Sequence, residues 1–307
     1  MTEGQADTTA RRRVAVVGAT SQIAQFLLPR LQAAGHESIP ITRGATHAFG
    51  RPAHVWHPHS ERLQPPCGTV DAVITTAPLS SIADVLRVAT SLSAGHIIAI
   101  GSMSRVSKAA SSNAAERQTA ADLAGAETQL KDMSSSLGLT WTLLRPTMIY
   151  GSGRDRNVAF IARFIRRFGV FFMPAGANGM RQPVHADDVA AACVAAVHTA
   201  GARNQAFDIG GGERLGYRTM VERIFVAMNR RPRILPLPKA ALRLAGTVGR
   251  WLPPLAFIRP SMIDRMSTDL IANNDRASTL LGYTPRGFAP DDRALGRLTD
   301  GRHTGAR

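Results

Sequence analysis

Two cysteines, Cys67 and Cys193, are all that this 307-residue chain contains. They stand far apart with no metal-ligand neighbours, which argues against a disulfide framework or a zinc site and fits a reducing cytoplasm. Lysine is almost as scarce. Lys108, Lys131 and Lys239 are the only three, so the net charge of +15 is carried almost wholly by arginine. That balance favours anionic ligands or surfaces without choosing among nucleotide phosphates, anionic lipid and nucleic acid. Aromatic residues make up only 6% of the chain, too few for a base-stacking platform, and the usual nucleic-acid motifs are missing. No nucleic-acid partner is therefore expected. There is no run of about 18 apolar residues, the length that a spanning helix needs. The first ten residues are polar and acidic, unlike a secretory leader. His47, His54, His57 and His59 lie on a proline-rich, loop-like stretch and are read as metal-free.

What the chain does have begins at Arg13. A short β-branched run, Val14 to Val17, reads as a fully buried strand, and Gly18 ends it. From Ile23 the apolar positions Ile23, Phe26, Leu27 and Leu31 follow helical spacing. Strand, small-residue turn and helix open a dinucleotide-binding βαβ unit, in which the amides of the helix N-terminus meet a pyrophosphate. The turn is Gly18-Ala19-Thr20-Ser21-Gln22-Ile23-Ala24. Only its first position is glycine, but Ser21 and Ala24 are small enough to let a phosphate approach the backbone. The second strand ends in Thr42-Arg43. NAD-specific sites place an acid there to hold the ribose hydroxyls, whereas Arg43 offers a fork suited to a 2′-phosphate, so NADP is expected ahead of NAD. Pro40 within this strand predicts an irregular edge.

The alternation continues. A buried strand over 70–78 closes in small residues, Thr76 and Ala77, where a cofactor backbone could rest, and a helix is predicted over 82–92. The strand from His96 ends in Gly101-Ser102-Met103-Ser104, putting the two serine hydroxyls where ligands bind in open α/β sheets. A long helix capped by Asn113 precedes the strand 138–144. Four buried strands alternating with helices predict an α/β fold, a Rossmann-type doubly wound parallel sheet with a smaller C-terminal substrate-binding subdomain. The expected limits are a disordered lead over 1–12, the nucleotide-binding domain over 13–150, a substrate subdomain over 151–285 partly interleaved with the sheet, and a basic flexible tail over 286–307. Asp187 and Asp188 are read as first-turn carboxylates of a helix. The mixture of Pro, Leu, Trp251 and basic residues over 234–259 offers an element for peripheral contact with a membrane surface.

Four separated stretches then resemble one family. They are Val17-Gly-Ala-Thr-Ser21, Gly101-Ser-Met-Ser104, Leu144-Arg-Pro-Thr-Met-Ile-Tyr-Gly151 and Arg181-Gln-Pro-Val-His-Ala-Asp-Asp-Val189. In order and spacing the chain resembles the extended and atypical short-chain dehydrogenases, in particular the NAD-dependent epimerase/dehydratase group that acts on nucleotide sugars. The resemblance implies that Gly18, Ala19, Thr20, Ser21, Gln22, Ile23 and Arg43 meet the phosphates of NADP or NAD. It also implies that Thr76 and Ala77 flank the cofactor and that Pro146 lies near the nicotinamide. Ser104, Arg145, Arg181 and His185 would belong to the side of a small anionic substrate.

The departure from the family is as informative as the match. Members use a Ser or Thr to orient the substrate hydroxyl, and a Tyr with a Lys four residues on to move its proton; a phenol near pKa ~10 needs an adjacent cation to act at neutral pH. Ser102 matches the serine. Aligning Ala126-Glu127 with the family pattern puts Thr119 at the tyrosine position and Leu123 at the lysine position. Two readings follow. In one, the chain remains a cytoplasmic NAD(P)-dependent oxidoreductase or epimerase whose acid/base comes from elsewhere, Ser102 and Ser104 with Lys108, or Glu116 with Arg117, being candidates. In the other, it is a catalytically silent NADP(H) sensor or assembly protein with a membrane-side partner.

Overall fold

The computed structural model describes residues 11–57, 63–64, 67–242 and 265–296. These fall into two compact units. The first takes residues 11–147, 186–210 and 272–285 of the described chain, and the second takes 148–185, 211–271 and 286–296.

The first unit is organised on β1 (Arg13–Val17), whose apolar residues are fully buried. It lies parallel to β2 (Glu37–Thr42) on one side and β7 (Ala72–Thr75) on the other. A two-residue hairpin, β3 (His47–Ala48) with β4 (Arg51–Pro52), precedes β5 (His54–Trp56), which adds beside β2, and β6 (Leu63–Gln64) turns back antiparallel at the edge. On the other side follow β8 (His96–Ile100), β9 (Thr140–Pro146) and β14 (Gln205–Ile209). The order is β14-β9-β8-β7-β1-β2-β5-β6, seven parallel strands and one antiparallel. The chain winds outward from β1, then returns to its other side. The reversal between β1 and β7 is the switch point at which doubly wound sheets open a crevice.

Helices cover the sheet. They are α1 (Ala24–Ala33), α2 (Ile82–Ser91), the one-turn α3 (Ser104–Ser107), α4 (Ala114–Ser136) and α6 (Ala186–His198). Asn113 caps α4, its Oδ1 accepting the amides of Ala115 and Glu116 at 2.9 and 3.4 Å. Asp187 of α6 grips Arg30 of α1 through both carboxylate oxygens.

Two expectations are corrected in this unit. Residues 44–57 are not loop throughout, because β5 joins the sheet and buries Trp56. Pro40 does not mark an edge either. It pairs in register with Val16, and the ladder to β5 begins only at Ile41, so the missing N–H of Pro40 has no partner strand to miss. The lead 1–12 is held at its end: the amide of Arg12 donates to His36 Nδ1 and its guanidinium to the Val197 carbonyl. His59 and the rest of the lead up to residue 10 lie outside the described residues.

The second unit is smaller. Here β10 (Ile149–Tyr150) pairs with β13 (Val184–His185), β11 (Phe171–Pro174) with β16 (Ile234–Leu237), and β12 (Met180–Arg181) with β15 (Leu215–Gly216). Two helices, α5 (Val158–Phe168) and α7 (Tyr217–Ala227), pack against each other. In α5 the buried residues Val158, Ile161, Ala162 and Ile165 recur at i, i+3, i+4 and i+7, while Arg163, Arg166 and Arg167 face out. Gly169, with φ +73°, ends the helix in the left-handed conformation that glycine adopts without steric cost. Phe288, Ala294 and Leu295 are buried in this core, so residues 286–296 are not the flexible tail expected there, and 297–307 lie outside the described residues. The helix over Asp275–Leu281 belongs to the first unit. The boundary expected after 150 falls after Thr147.

Candidate functional site

The carboxyl ends of five adjacent strands carry nearly all the residues expected to meet a cofactor. Along the edge in sheet order stand Pro146 at the end of β9, Ser102 beyond β8, Thr76 and Ala77 beyond β7, Gly18 beyond β1 and Arg43 beyond β2. At ~4.8 Å per strand this row spans roughly 19 Å. The sheet itself therefore aligns these positions, although they are separated by up to 128 residues in sequence.

At the switch point, backbones do the packing. Gly18 sits at φ +78°, and a Cβ there would lie 2.7 Å from the Ala77 amide nitrogen and 3.1 Å from the Thr76 carbonyl carbon. The amides of Gly18 and Ala19 both donate to the Ile41 carbonyl, at 3.1 and 3.2 Å. The Thr76 hydroxyl reaches the Gly18 carbonyl at 2.9 Å, stitching the two turns together. Ser21 accepts the Ala24 amide on its hydroxyl oxygen at 3.0 Å, so it satisfies the first N–H of α1 as well as being small. Thr20 is exposed at the crest of the turn and Gln22 is half-buried. Among the described residues no acceptor meets the amide of buried Ile23. Arg43 is exposed and has no hydrogen bond or ion pair among the described residues. A close-packed glycine turn, an unspent amide at the start of α1 and an uncommitted guanidinium one strand over fit the diphosphate and adenosine end of a dinucleotide.

The other end of the row is held by charge. Arg145 donates from Nε and Nη2 to both oxygens of Glu127, at 2.9 and 2.7 Å, and from Nη1 to Asp208 at 3.2 Å. The Glu127 side chain is only 2% exposed, and Arg105 Nε stands 3.1 Å from the same carboxylate, close enough for an ion pair but off the line of a hydrogen bond. The hydrogen bond to Glu127 raises the pKa of Arg145 further above its already basic value. Arg145 thus has its fork committed to α4 and β14, where it fixes the strand end. Beside it the Gly101 amide donates to the Leu144 carbonyl and the Met103 amide to the Pro146 carbonyl, at 2.8 and 3.0 Å. Ser102 Oγ accepts the Ser104 amide at 3.1 Å, which leaves the Ser102 O–H available as a donor. Ser104 begins α3, and Lys108, half-buried, ends it.

No proton-moving pair stands on α4. Thr119 donates its hydroxyl to the Ala115 carbonyl one turn back, at 2.9 Å, and Leu123 is half-buried and apolar. Glu116 accepts from the Ser111 hydroxyl at 2.8 Å in the first turn of the helix. Arg117 is exposed and binds the carbonyls of Ser111 and Ser112. All three tyrosines are buried structural residues. Tyr150 packs edge-on against His185 and Phe288. Burial pushes the Tyr217 hydroxyl up to about 12 and that of Tyr283, which donates to the Gly210 carbonyl, well above its ordinary value.

Arg181 and His185 belong to the second unit. The buried Arg181 guanidinium donates to the carbonyls of Met180, Thr268 and Arg265 and lies 5.0 Å from the Tyr217 ring centroid; burial lowers its pKa. The His185 ring covers Gly151 so closely that a Cβ there would lie 2.3 Å from Nε2. Residues 148–151 and 181–185, two of the stretches that carry the family resemblance, are thus packed together by β10 and β13.

Three features escaped the sequence reading. Glu127 served there only to align the helix, and Asp208 and Arg105 carried no role. The signal for Glu127 was its place eight residues after Thr119, on the same helical stripe, but the partner that gives it meaning comes 18 residues later.

Residues 120–210 match the family model of the NAD dependent epimerase/dehydratase family. An uncharacterized protein, y4nG, of Sinorhizobium fredii (strain NBRC 101917 / NGR234) is 31% identical over 179 residues, 57% of this chain and 43% of its own. The chain spans less than half the length of the curated relatives it matches. Among solved structures, the UDP-glucose 4-epimerase of Thermus thermophilus in complex with NAD superposes with a TM-score of 0.65 at 18% identity, covering 94% of this chain and 97% of that one. The NADPH-dependent quinone oxidoreductase QOR2 of Escherichia coli, complexed with NADPH, gives 0.62 at 16% identity over 90% and 96%. Relatives of this fold thus hold either coenzyme. Residues 120–210 thus match the NAD-dependent epimerase/dehydratase family, and the doubly wound sheet is the fold of the solved epimerases it superposes on.

Proposed function

We propose that the chain is a cytoplasmic NAD(P)-dependent oxidoreductase of the epimerase/dehydratase type, with NADP preferred. Its substrate would be a nucleotide sugar or a similar small, anionic hydroxylated or carbonyl compound. The observation that carries this is the row of residues along the sheet edge, from Arg43, without an ion-pair partner among the described residues, to Ser102, whose O–H is available as a donor. When bound, the pyridine nucleotide supplies the hydride carrier. The chain supplies the rest. The Ile23 amide and the positive end of α1 meet the diphosphate, and Arg43 meets the 2′-phosphate. Ser102 donates to the substrate oxygen while the Ser104 amide fixes its orientation. Arg145, locked on Glu127, keeps Pro146 and the strand end in place. With Thr119 and Leu123 where the family carries Tyr and Lys, the substrate proton leaves to solvent, Lys108 being a candidate only as proton donor in the reverse direction.

The turned-in Thr119 hydroxyl favours a second reading, in which the nucleotide is bound but not turned over and the chain serves as a sensor or assembly protein. One experiment separates the two. The full chain is purified, any nucleotide that accompanies it is identified by mass spectrometry, and NADPH and NADH are titrated by calorimetry. NADPH oxidation is then followed with nucleotide sugars and carbonyl acceptors. Binding with turnover supports the oxidoreductase, and binding without turnover supports the sensor. No heat with either coenzyme rejects both.

A further inference from the structure

The positive charge of this chain is not spread evenly. Among the described residues the second unit carries sixteen arginines and lysines against six carboxylates, while the first carries fourteen against eleven. Within the second unit, five of the arginines gather at one end. The α5 helix ends in Arg166 and Arg167, and α7 is followed by Arg230, Arg231 and Arg233. The two turns lie side by side: Arg230 Nη1 donates to the Ile165 carbonyl at 2.9 Å, and the Phe171 amide donates to the Arg233 carbonyl at 2.9 Å as β11 and β16 start in register. All five side chains are exposed, and none has an ion pair with a carboxylate among the described residues. The acids of the neighbourhood are engaged elsewhere, Glu222 on Arg218 and Glu213 on Arg223.

Apolar side chains interrupt this basic end. Val226, in the last turn of α7, is 63% exposed and Leu235, on β16, is 45% exposed, the two most exposed large apolar residues of the unit. Among the described residues no exposed aromatic ring accompanies them; Phe168 is half-buried beneath Arg167. We propose that this end of the second unit docks on an anionic phospholipid surface, the arginines meeting lipid phosphates while Val226 and Leu235 enter the headgroup boundary. Unpaired arginines supply the charge complementarity, and exposed aliphatic side chains gain from a hydrocarbon boundary. A nucleic acid would instead want a ring on which to stack its bases. The docking surface uses none of the sheet-edge residues. It also precedes most of 234–259, of which residues 243–259 lie outside the described ones.

The test is flotation of the full chain with vesicles of phosphatidylglycerol in phosphatidylcholine and with vesicles of phosphatidylcholine alone. The chain is expected to float with the anionic vesicles at low salt, to be released at high salt, and not to float with phosphatidylcholine. Each arginine near an anionic surface is worth roughly fivefold in partitioning, so Arg231→Gln with Arg233→Gln should weaken binding about 25-fold. Val226→Ser with Leu235→Ser should weaken what survives at intermediate salt. Equal binding to neutral vesicles, no binding to either, or displacement of the vesicles by a single-stranded oligonucleotide would overturn the proposal. If the variants fail to fold, the lipid-composition and salt arms on the unaltered chain still decide.

Discussion

Gly18→Ala isolates the physical basis of the nucleotide turn, and Gly35→Ala is its control. Both glycines sit in the left-handed region, at φ +78° and +79°. A non-glycine residue there costs ~1–2 kcal/mol from crowding of its own Cβ and carbonyl. The surroundings differ. A Cβ on Gly35 meets nothing within 4 Å, whereas one on Gly18 is driven to 2.7 Å from Ala77 N and 3.1 Å from Thr76 C. Those atoms are backbone, held by the Thr76 hydroxyl and by the Thr76 amide bond to Val17, so they do not swing aside. Overpacking of this kind adds ~1–3 kcal/mol, giving ~2–5 kcal/mol for Gly18→Ala against ~1–2 for Gly35→Ala. In a domain stable by ~5–15 kcal/mol that is a fall in Tm on the order of 10 °C for the first variant. Urea denaturation of the two variants side by side measures the difference, and NADPH calorimetry should show a loss of affinity in Gly18→Ala alone. Equal losses of stability in the two would refute the argument, because strain without backbone contact would then account for both.

Other consequences are equally open to measurement. Arg43→Ala should weaken NADPH by roughly ten- to a hundredfold, as expected for losing a charge-assisted hydrogen bond worth ~1.5–3 kcal/mol, and leave NADH almost unchanged in the same titration. Glu127→Ala strands Arg145 and should cost ~3–5 kcal/mol in thermal or urea unfolding, with Asp208 a partial replacement partner. His96 is buried with both ring nitrogens on threonine hydroxyls, and burial, with Arg203 nearby, lowers its pKa to about 4. The unfolded imidazole titrates near ~6.5, so between those values the unfolded chain binds the extra proton; stability is complete above pH ~6.5 and falls by up to ~1.4 kcal/mol per pH unit towards pH 4. His96→Gln should flatten that slope in pH-dependent unfolding. His36, whose pKa burial also lowers, tilts the curve in the same direction.

The nucleotide turn was legible because its signals are local. Val14 to Val17, Gly18 and the helical spacing from Ile23 are consecutive, and the parallel sheet follows from repeating that pattern. The β5 strand was not legible. His54-Val55-Trp56 between two prolines has no period to read, and it becomes a strand only because Ile41 and Thr42 offer it a ladder. The segment 286–296 looked like a charged tail because four apolar residues in eleven make a weak pattern, yet Phe288, Ala294 and Leu295 each find a place in the second core. Arg181 illustrates the same limit for sites. Its residue type suggests an anion, but the carbonyls it binds are supplied by Arg265 and Thr268, more than eighty residues away.

The α4 helix carries the difference between keeping a scaffold and keeping its chemistry. Thr119, Leu123 and Glu127 follow one another at four-residue steps, so they form a single stripe along the helix. Glu127 is buried against Arg145, and replacing it leaves a desolvated guanidinium without its counter-charge. Thr119 and Leu123 are half-buried and tie nothing else down, so exchanging a phenol and an ammonium there costs the fold little. Stability thus requires the acid at 127 and leaves the residues at 119 and 123 free to vary. The match over residues 120–210, which includes Glu127 and Arg145, accordingly reports a shared framework and is silent on turnover. Discrimination must come from groups that stability does not require: the hydroxyl of Ser102 and the guanidinium of Arg43, which has no ion pair among the described residues.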